Sequence, residues 1–277
     1  MLSDILLEEH VRNALKEDIG YSDLTTNLIF SEENKTVTAF MNSREEGILC
    51  GIQAVKKVFE LLSDEAEVKF FKKDGDVLKK GDTIAEITAP ERALLSGERV
   101  SLNYVRQMSG IATETAKYIK QMNNPNVILA DTRKTTPGFR MFEKYSVATG
   151  GGHPHRFNLS DCVMIKDNHI ECAGSITNAV NKVKEKLSHA YKIEVECETE
   201  EQVKEALNVG VDIIMLDNMD IPNMEKCIKL INHRAIVEIS GNVKLNTVGE
   251  IAKVNPDVIS TSAIHSGVKP LDIGLDM

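Results

Sequence analysis

The sequence predicts a protein of mixed α/β and α+β class, in which an N-terminal α/β sandwich precedes an incomplete, seven-stranded β/α barrel. The first half of the chain mixes strand and helix patterns in no regular order. In the second half, short apolar runs alternate with helical stretches at intervals of roughly 20 residues, which is typical of parallel βαβ units. At 277 residues, the chain is long enough to form both parts.

The first half begins with a helical pattern over residues 3–19, which Ser3 can cap and which Gly20 ends. Alternating apolar and polar residues predict a strand at 36–43, and helical periodicity predicts a helix at 51–62. These elements indicate a small sandwich of helices and strands.

Strand-like runs at 67–89 are separated by the turn sequences KDGD and KKGD. A long helix is expected from Glu91 to about Gln121, with a break near Ser109–Gly110, where a serine and a glycine interrupt the pattern. This helix is expected to link the two halves of the chain.

The second half contains apolar runs that predict buried parallel strands, and amphipathic stretches between them predict surface helices. We assign residues 1–108 to the sandwich domain and residues 109–265 to the barrel, and we expect residues 266–277 to return to the sandwich. The predicted barrel strands are 126–132, 162–167, 191–198, 211–217, 234–241 and 257–261.

Polar and charged residues follow the predicted strands, at the ends where β/α barrels carry their chemistry. The early strand ends are cationic and the later ones are acidic or small, so the ring could hold a multiply charged anion beside a divalent metal ion. We expect Glu194 and Glu196 to point to opposite faces of their strand, with Glu196 at the mouth of the barrel. The residues at the strand ends are Asp131, Arg133, Lys134, Lys166, Asp167, Asn168, Glu194, Glu196, Asp217, Asn218, Glu238, Ser240, Gly241, Ser260 and Ser262.

The composition narrows the class of protein. A net charge of −9 argues against a nucleic-acid-binding domain, which would be basic. The sequence has no apolar run of about 18 residues and no basic start of a signal peptide, so we expect a cytoplasmic protein without a membrane span. Five cysteines without a C-x-x-C pair predict neither disulfides nor a zinc site, and we expect each to be a small core residue.

The common nucleotide-binding and hydrolase motifs are missing from the sequence. There is no P-loop, no H-E-x-x-H and no G-x-S-x-G. The segment GGGHPHR (150–156) does not match the dinucleotide fingerprint, although its glycines allow backbone N–H groups to approach a ligand closely. Cations instead cluster in DTRKTTPGFR (131–140), either as solvated loop charges or as a pocket for an anion.

Several segments, taken in order, resemble the quinolinate phosphoribosyltransferase family, and the resemblance covers nearly the whole chain. It implies transfer of a phosphoribosyl group from phosphoribosyl pyrophosphate (PRPP) to quinolinate. Pyrophosphate and CO₂ would leave, and nicotinate mononucleotide would be formed for NAD synthesis. The segments are EDIGYSDLTT, LLSGERVSLNYVRQMSGIAT, DTRKTTPGFR, GGGHPHRFNLSDCVMIKDNHI, EVECET, IMLDNM, EISGNV and LDIGLDM.

The same resemblance implies Mg²⁺ as cofactor and a homodimer or larger homo-oligomer, in which the neighbouring subunit contributes Arg99. Two carboxylates on one ring call for guanidinium forks and a lysine. The residues implied to bind quinolinate are Arg99, Arg133, His155, Arg156 and Lys166. The catalytic residues implied are Lys134, Glu196 and Asp217, of which the last two would also hold the metal. The residues implied near the 5′-phosphate are Ser240, Gly241, Ser262 and Ala263.

Two segments depart from the family pattern, and three other functions stay open. In GGGHPHR, His153–Pro154 stands where the pair before the histidine is usually more polar. The run SAIHS has Ser262 in place of a glycine and His265 in place of a threonine. A molybdenum-transport-associated relative is disfavoured by the intact run KDNH (166–169). A Schiff-base aldolase would need Lys166 as a desolvated neutral amine. A nicotinate-specific phosphoribosyltransferase would have only one carboxylate to bind, against the several cations of this chain.

Overall fold

The computed structural model describes residues 2–31 and 34–277, and the chain divides into two compact units. The first unit comprises Met1–Ala116, Met141–Gly151 and Gly267–Met277, and the second comprises Lys117–Arg140 and Gly152–Ser266. The segment 141–151, which the sequence analysis assigns to the barrel, therefore belongs to the first unit.

The described residues form helices and strands with the following bounds. The helices are α1 (Asp4–Ile19), α2 (Leu24–Ile29), α3 (Ile52–Leu62), α4 (Glu91–Met122), α5 (Arg140–Thr149), α6 (Asp167–Ala173), α7 (Ile176–Lys184), α8 (Glu200–Val209), α9 (Ile221–Ile231) and α10 (Val248–Lys253). The strands are β1 (Thr36–Ser43), β2 (Gly47–Ile48), β3 (Glu67–Phe70), β4 (Val77–Leu78), β5 (Thr83–Pro90), β6 (Ile128–Ala130), β7 (Val163–Ile165), β8 (Ile193–Cys197), β9 (Ile213–Asp217), β10 (Ile236–Ser240), β11 (Val258–Ser260) and β12 (Ile273–Asp276). Among the described residues, no helix has both the length and the apolar character needed to cross a bilayer.

The first unit is built on an antiparallel sheet with the strand order β12-β1-β5-β3. The C-terminal strand β12 pairs with β1, so that Ser43 lies opposite Ile273. The buried faces of these strands share one apolar core with α3 and α4, which includes Met41, Phe59 and Leu94. The predicted helices near 3–19 and 51–62 and the predicted strand at 36–43 are confirmed.

Helix α4 runs without interruption through Ser109–Gly110, so the expected break there is wrong. Gly110 instead allows the C-terminal segment to lie directly against the helix. A Cβ at this position would overlap the carbonyl oxygen of Lys269 and lie 3.2 Å from Pro270 Cα. The crossing is held by the Leu271 N–H, which donates to the Arg106 carbonyl at 2.9 Å.

The second unit is built on a parallel sheet with the strand order β6-β11-β10-β9-β8-β7. All six strands coincide with apolar runs predicted from the sequence. The helices between them begin at conventional caps: the Thr199 hydroxyl accepts from the Gln202 N–H at the start of α8, and the Asp220 carboxylate accepts from Asn223 at the start of α9. These caps fix where each helix starts after its strand.

The seventh strand of the expected barrel is reduced to a single parallel bridge between His153 and Ala130. The His153 N–H donates to the Leu129 carbonyl at 2.8 Å, and the Asp131 N–H donates to the His153 carbonyl at 3.3 Å. The next residue is Pro154, which has no N–H to extend the ladder. The sheet therefore has six strands in the described residues, and this short segment lies beside β6 at its free edge.

Because side chains alternate along each strand, apolar and polar residues of the second unit lie on opposite faces of the sheet. One face of each strand carries buried apolar side chains, such as Val195, Leu216 and Ile239. The other face carries polar or long side chains toward the barrel interior, including Glu196 on β8 and Asp217 on β9. The interior face is therefore available for binding because the opposite face supplies the packing.

The cysteines only partly follow the expectation that each is a core residue. Cys50, Cys197 and Cys227 are buried, and burial raises the pKa of the Cys50 and Cys197 thiols to about 12. Cys162 is half-buried, whereas Cys172 is exposed on α6, a helix that has no buried residue. The expectation is wrong for Cys172, because the sequence analysis did not predict α6 as a surface helix.

We expect Gly110→Ala to destabilise the protein, because the new methyl group would overlap the backbone of the crossing C-terminal segment. Overpacking of this kind costs about 1–3 kcal/mol in the free energy of unfolding, more than the gain in helix propensity of up to about 1 kcal/mol. Urea unfolding of Gly110→Ala and wild type gives the difference directly. Lys120→Ala, at an exposed position of the same helix, is the control and should change the stability by less than about 0.5 kcal/mol. Unchanged or increased stability of Gly110→Ala would contradict the close packing.

Candidate active site

A cavity of about 520 Å³ lies in the second unit, where the parallel strands end. Polar groups from every strand of the sheet reach it, from Thr132 after β6 to Ser260 at the end of β11. The residues that the sequence analysis singled out and that line this cavity are Arg133, Lys134, His155, Arg156, Lys166, Asp167, Glu196, Asp217, Glu238, Ser240 and Ser260.

Guanidinium groups form the cationic side of the cavity. Arg133 is half-buried, and its Nε has no hydrogen-bond partner among the described residues. Burial, together with the charges of Arg156 and Arg140, lowers the pKa of Arg133. A lowered pKa means that the positive charge is poorly compensated there, which is the condition under which an anion is attracted.

Two of these arginines are held in place by backbone carbonyl groups. Arg156 donates from Nη1 to the Cys162 carbonyl at 3.0 Å. Arg140 donates from Nη1 to the Phe157 carbonyl at 3.1 Å and from Nε to the Thr135 hydroxyl at 2.9 Å. These contacts leave the Arg156 side chain on the cavity wall and make Arg140 a support for the loop rather than a lining residue.

Lys134 is exposed and lines the cavity at the start of the cationic loop. Its backbone N–H donates to the Thr132 hydroxyl at 3.1 Å. That hydroxyl lies 3.3 Å from Nε2 of the buried His265. His265, noted in the sequence only as a departure from the family pattern, therefore helps to shape the loop that carries Lys134.

Carboxylates form the opposite side of the cavity. Glu196 at the end of β8 makes an ion pair with Lys166, which is 41% exposed. Asp217 at the end of β9 accepts a hydrogen bond from the side chain of Asn218 at 2.7 Å. His169 supports this region from outside, since its Nδ1 accepts from the Lys166 N–H at 3.0 Å.

A histidine and two buried glutamates lie deeper in the barrel. His155 Nε2 lies 3.3 Å from Oε2 of Glu238 and 3.6 Å from Oε2 of Glu194. Burial alone would lower the pKa of His155, but the two carboxylates outweigh it and raise this pKa. Burial also raises the pKa of the Glu194 carboxyl, against the effect of the nearby imidazole.

The expectation that Glu194 and Glu196 point to opposite faces is wrong. The two residues are two positions apart on β8, and alternation places such residues on the same face of a strand. Both therefore point to the barrel interior, but Glu194 is fully buried whereas Glu196 reaches the cavity. Depth along the strand, rather than the choice of face, distinguishes them.

The loops after β9 and β10 approach each other closely. Gly241 has φ +90°, and a Cβ there would overlap the side chain of Asn218. Asn242 donates from its side chain to Oδ1 of Asn218 at 3.0 Å. Gly241 is thus required both by its backbone conformation and by the proximity of the neighbouring loop.

The remaining predicted residues lie around or apart from this cavity. Ser262 and Ala263 are half-buried in the turn after β11, where the Ser262 carbonyl accepts from the His265 N–H at 3.1 Å. Gly241, Ser262 and Ala263 are not among the residues that line the cavity. Arg99 lies in the first unit, exposed on α4, and Lys144 is buried in the first unit.

Fold and cavity together define a protein with an antiparallel α/β unit and an incomplete parallel barrel, in which cationic and acidic side chains line one cavity at the strand ends. Residues 23–109 match the family model described as "Quinolinate phosphoribosyl transferase, N-terminal domain". Residues 111–276 match the one described as "Quinolinate phosphoribosyl transferase, C-terminal domain". The chain belongs to the quinolinate phosphoribosyl transferase family.

Individual relatives match the chain over nearly its whole length. A Bacillus subtilis protein named as a probable nicotinate-nucleotide pyrophosphorylase (carboxylating) is 41% identical over 276 residues, which cover 100% of this chain and 95% of that protein. The crystal structure of NadC from Streptococcus pyogenes has a TM-score of 0.96 and 38% identity, and the match covers 100% of this chain and 98% of that one. Nicotinate-nucleotide pyrophosphorylase from Ehrlichia chaffeensis has a TM-score of 0.92 and 41% identity, with 97% of each chain covered.

Proposed function

We propose that this protein transfers the phosphoribosyl group of PRPP to quinolinate with decarboxylation, which yields nicotinate mononucleotide, pyrophosphate and CO₂ in the biosynthesis of NAD. The observation that carries the proposal is the placement of a cationic and an acidic side in one cavity at the barrel mouth. Relatives that match the full chain carry the name of this activity. The reaction is that of nicotinate-nucleotide diphosphorylase (carboxylating), EC 2.4.2.19.

Quinolinate is a planar dianion, and the cationic side of the cavity suits it. Arg133 and Arg156 offer guanidinium groups, which pair with carboxylates through two parallel hydrogen bonds. Lys166, which pairs with Glu196, offers a compact positive charge in the same cavity. His155 lies beneath these groups, and we assign it to the floor of the quinolinate site.

The reaction itself needs stabilisation of charge more than proton transfer. The pyridine nitrogen attacks C1 of the ribose with its lone pair, and the bond from C1 to the pyrophosphate oxygen breaks. Glu196 and Asp217 would stabilise the positive charge that develops on the ribose, and Lys134 would balance the charge of the departing pyrophosphate. The positively charged ring then accepts the electron pair of the breaking bond to the 2-carboxylate, CO₂ leaves, and a proton adds at that carbon.

Mg²⁺ fits the acidic side of the cavity. Glu196 and Asp217 present carboxylate oxygens from adjacent strands, and Mg²⁺ commonly binds one or two carboxylates together with the phosphates of a substrate. These two residues would hold the ion. When bound, it would neutralise charge on the pyrophosphate of PRPP.

We assign the 5′-phosphate of the ribose to the loops after β10 and β11, which contain Ser240, Gly241, Ser262 and Ala263. Ser240 lines the cavity, and the positive φ of Gly241 turns the backbone sharply at the end of β10. Backbone N–H groups in such turns form concave sites for anions. The serine hydroxyls would add further donors.

Each of the three alternative functions is disfavoured by one observation. Lys166 makes an ion pair with Glu196 and is 41% exposed, which favours a charged ammonium over the neutral amine of a Schiff-base enzyme. Nicotinate, with one carboxylate, would leave part of the cationic wall without a partner. Relatives that match the whole chain and are named as probable nicotinate-nucleotide pyrophosphorylases argue against the transport-associated relative.

We infer a cytoplasmic location for the enzyme. The cysteines of the described residues are free rather than paired in disulfides, as is usual in a reducing compartment.

The first test is an assay of the purified protein with PRPP, Mg²⁺ and quinolinate, in which nicotinate mononucleotide and CO₂ are measured together. Nicotinate is run in parallel and is expected to give no product. Arg133→Ala and Arg156→Ala should each lose about 2–4 kcal/mol of transition-state binding, or roughly 30- to 1,000-fold in kcat/KM. Arg12→Ala, which removes an exposed arginine of α1, is the control and should leave kcat/KM unchanged. Product from nicotinate, or full activity of both cavity variants, would contradict the proposal.

Removal of the metal tests the role of the acidic side. Chelation with EDTA should stop turnover, and Mg²⁺ should restore it. Asp217→Asn should raise the Mg²⁺ concentration needed for half-maximal rate by about ten-fold or more, because one charged ligand is lost. Asp64→Asn, at an exposed position of the first unit, should keep the wild-type Mg²⁺ dependence. Full activity in EDTA would contradict the metal site.

A mixing experiment tests the proposed homodimer and the role of Arg99. Arg99→Ala and Lys134→Ala should each be nearly inactive alone. In mixed dimers one site combines an intact barrel with Arg99 of the partner subunit, so random mixing should restore about a quarter of wild-type activity. Absence of recovery, with mixed dimers confirmed by mass spectrometry, would show that Arg99 does not act across the interface.

A further inference from the structure

Two carboxylates lie buried beneath the cationic wall of the cavity. The Glu194 side chain is 0% exposed and the Glu238 side chain is 4% exposed. Their Oε2 atoms face the same atom, Nε2 of His155, at 3.6 Å and 3.3 Å. Both residues point inward because they occupy the interior positions of β8 and β10.

These carboxylates are poorly satisfied by the rest of the protein. Within residues 2–31 and 34–277, neither oxygen of Glu194 has a hydrogen-bond partner, and Oε1 of Glu238 also has none. A buried carboxylate without partners costs stability, and apolar residues of similar size are often as good or better at such positions. A role other than stability therefore has to account for the pair.

The contacts of His155 indicate what that role is. Its backbone N–H donates to Oδ1 of the fully buried Asp131 at 2.7 Å. Its Nδ1 accepts from the backbone N–H of Arg156, also at 2.7 Å. Because the Arg156 N–H points at Nδ1, this atom keeps its lone pair, and the ring proton lies on Nε2, between the two carboxylates. The same contact opposes the second ring proton that the carboxylates favour.

The same geometry argues against a metal ion at this place. One atom each of His155, Glu194 and Glu238 lie within 4.8 Å of one another, which is a spacing that a metal ion could bridge. A ligating Nε2 would need its lone pair, however, and the other ring nitrogen would then have to carry the proton. The Arg156 N–H occupies that side of the ring as a donor, so the ring is not arranged to bind a metal.

We propose that Glu194 and Glu238 are positioning residues, which hold Nε2–H of His155 and thereby fix the backbone of Arg156 so that its guanidinium faces the carboxylates of quinolinate. The inference rests on the proposed function and adds to it two residues that act through His155. His155 then acts as a link between the buried carboxylates and Arg156. Glu194 and Glu238 thus fix the orientation of Arg156, and their burial costs some stability.

Two double variants separate this role from a merely structural one. Glu194→Leu with Glu238→Leu removes both carboxylates at similar size, and Glu194→Gln with Glu238→Gln keeps a polar oxygen at each position. The leucine variant should raise the KM for quinolinate about ten-fold or more, as expected for loss of a well-oriented charged contact. The KM for PRPP should stay within about three-fold, and the melting temperature should not fall. The glutamine variant should retain a KM for quinolinate within about three-fold of wild type.

Each outcome decides a different point. Glu225→Gln, at an exposed position of α9, is the control and should behave like wild type. If wild type itself makes no product from quinolinate, the proposed function fails. If wild type is active and the leucine variant keeps its KM for quinolinate, or if both variants lose quinolinate binding equally, the positioning role is overturned. A stoichiometric transition metal in the purified wild-type protein, lost from the leucine variant, would also overturn it.

Discussion

Repulsion between like charges is the constraint that the rest of this site has to satisfy. Arg133 is near Arg156 and Arg140, and their charges help to lower the pKa of Arg133. Three carboxylates are buried nearby, Asp131 in the adjoining loop and Glu194 and Glu238 on the barrel interior. They contact His155 in this wall, whereas the charge of Arg133 itself stays poorly compensated until an anion binds.

The parallel sheet allows buried carboxylates to lie close to the cations of the cavity. Alternation gives each strand one face for packing and one for chemistry, so the polar interior does not compete with the apolar layer under the helices. On β8 the deeper interior residue, Glu194, is fully buried and Glu196 lines the cavity, whereas on β10 both Glu238 and Ser240 line it. A single strand thus supplies both a binding residue and a buried residue beneath it, at a spacing of two positions.

Much of this arrangement could be predicted from the sequence. The six barrel strands were identified from their apolar runs, and Arg133, Lys134, His155, Arg156, Lys166, Glu196, Asp217 and Ser240 do line one cavity. The local pattern did not reveal short helices such as α6, which has no buried face and so no periodic signal. It also could not show that α4 continues through Gly110, because the reason for that glycine is a segment about 160 residues further along the chain.

The depth of a residue in the barrel was likewise beyond the sequence. Glu194 and Glu196 have the same chemistry and nearly the same neighbours along the chain. Their difference comes from the register of β8 against β7 and β9, where Met164 lies opposite Glu194 and Met215 opposite Glu196. Such register depends on how the strands pair, and it cannot be predicted from the sequence of either strand alone.

The single bridge at His153 gives this segment a local stability of its own. Two backbone hydrogen bonds hold it to β6, whereas the strands of the sheet are held on both sides or by longer ladders. A segment with so few bonds can open while the sheet stays closed, at a free energy well below that of global unfolding. Beyond the bridge, single contacts of Asp131, Arg156 and Arg140 hold the loop that carries His155 and Arg156. An anion that paired with Arg156 would add a contact to this loop, so part of the binding energy would be spent on local order rather than observed as affinity.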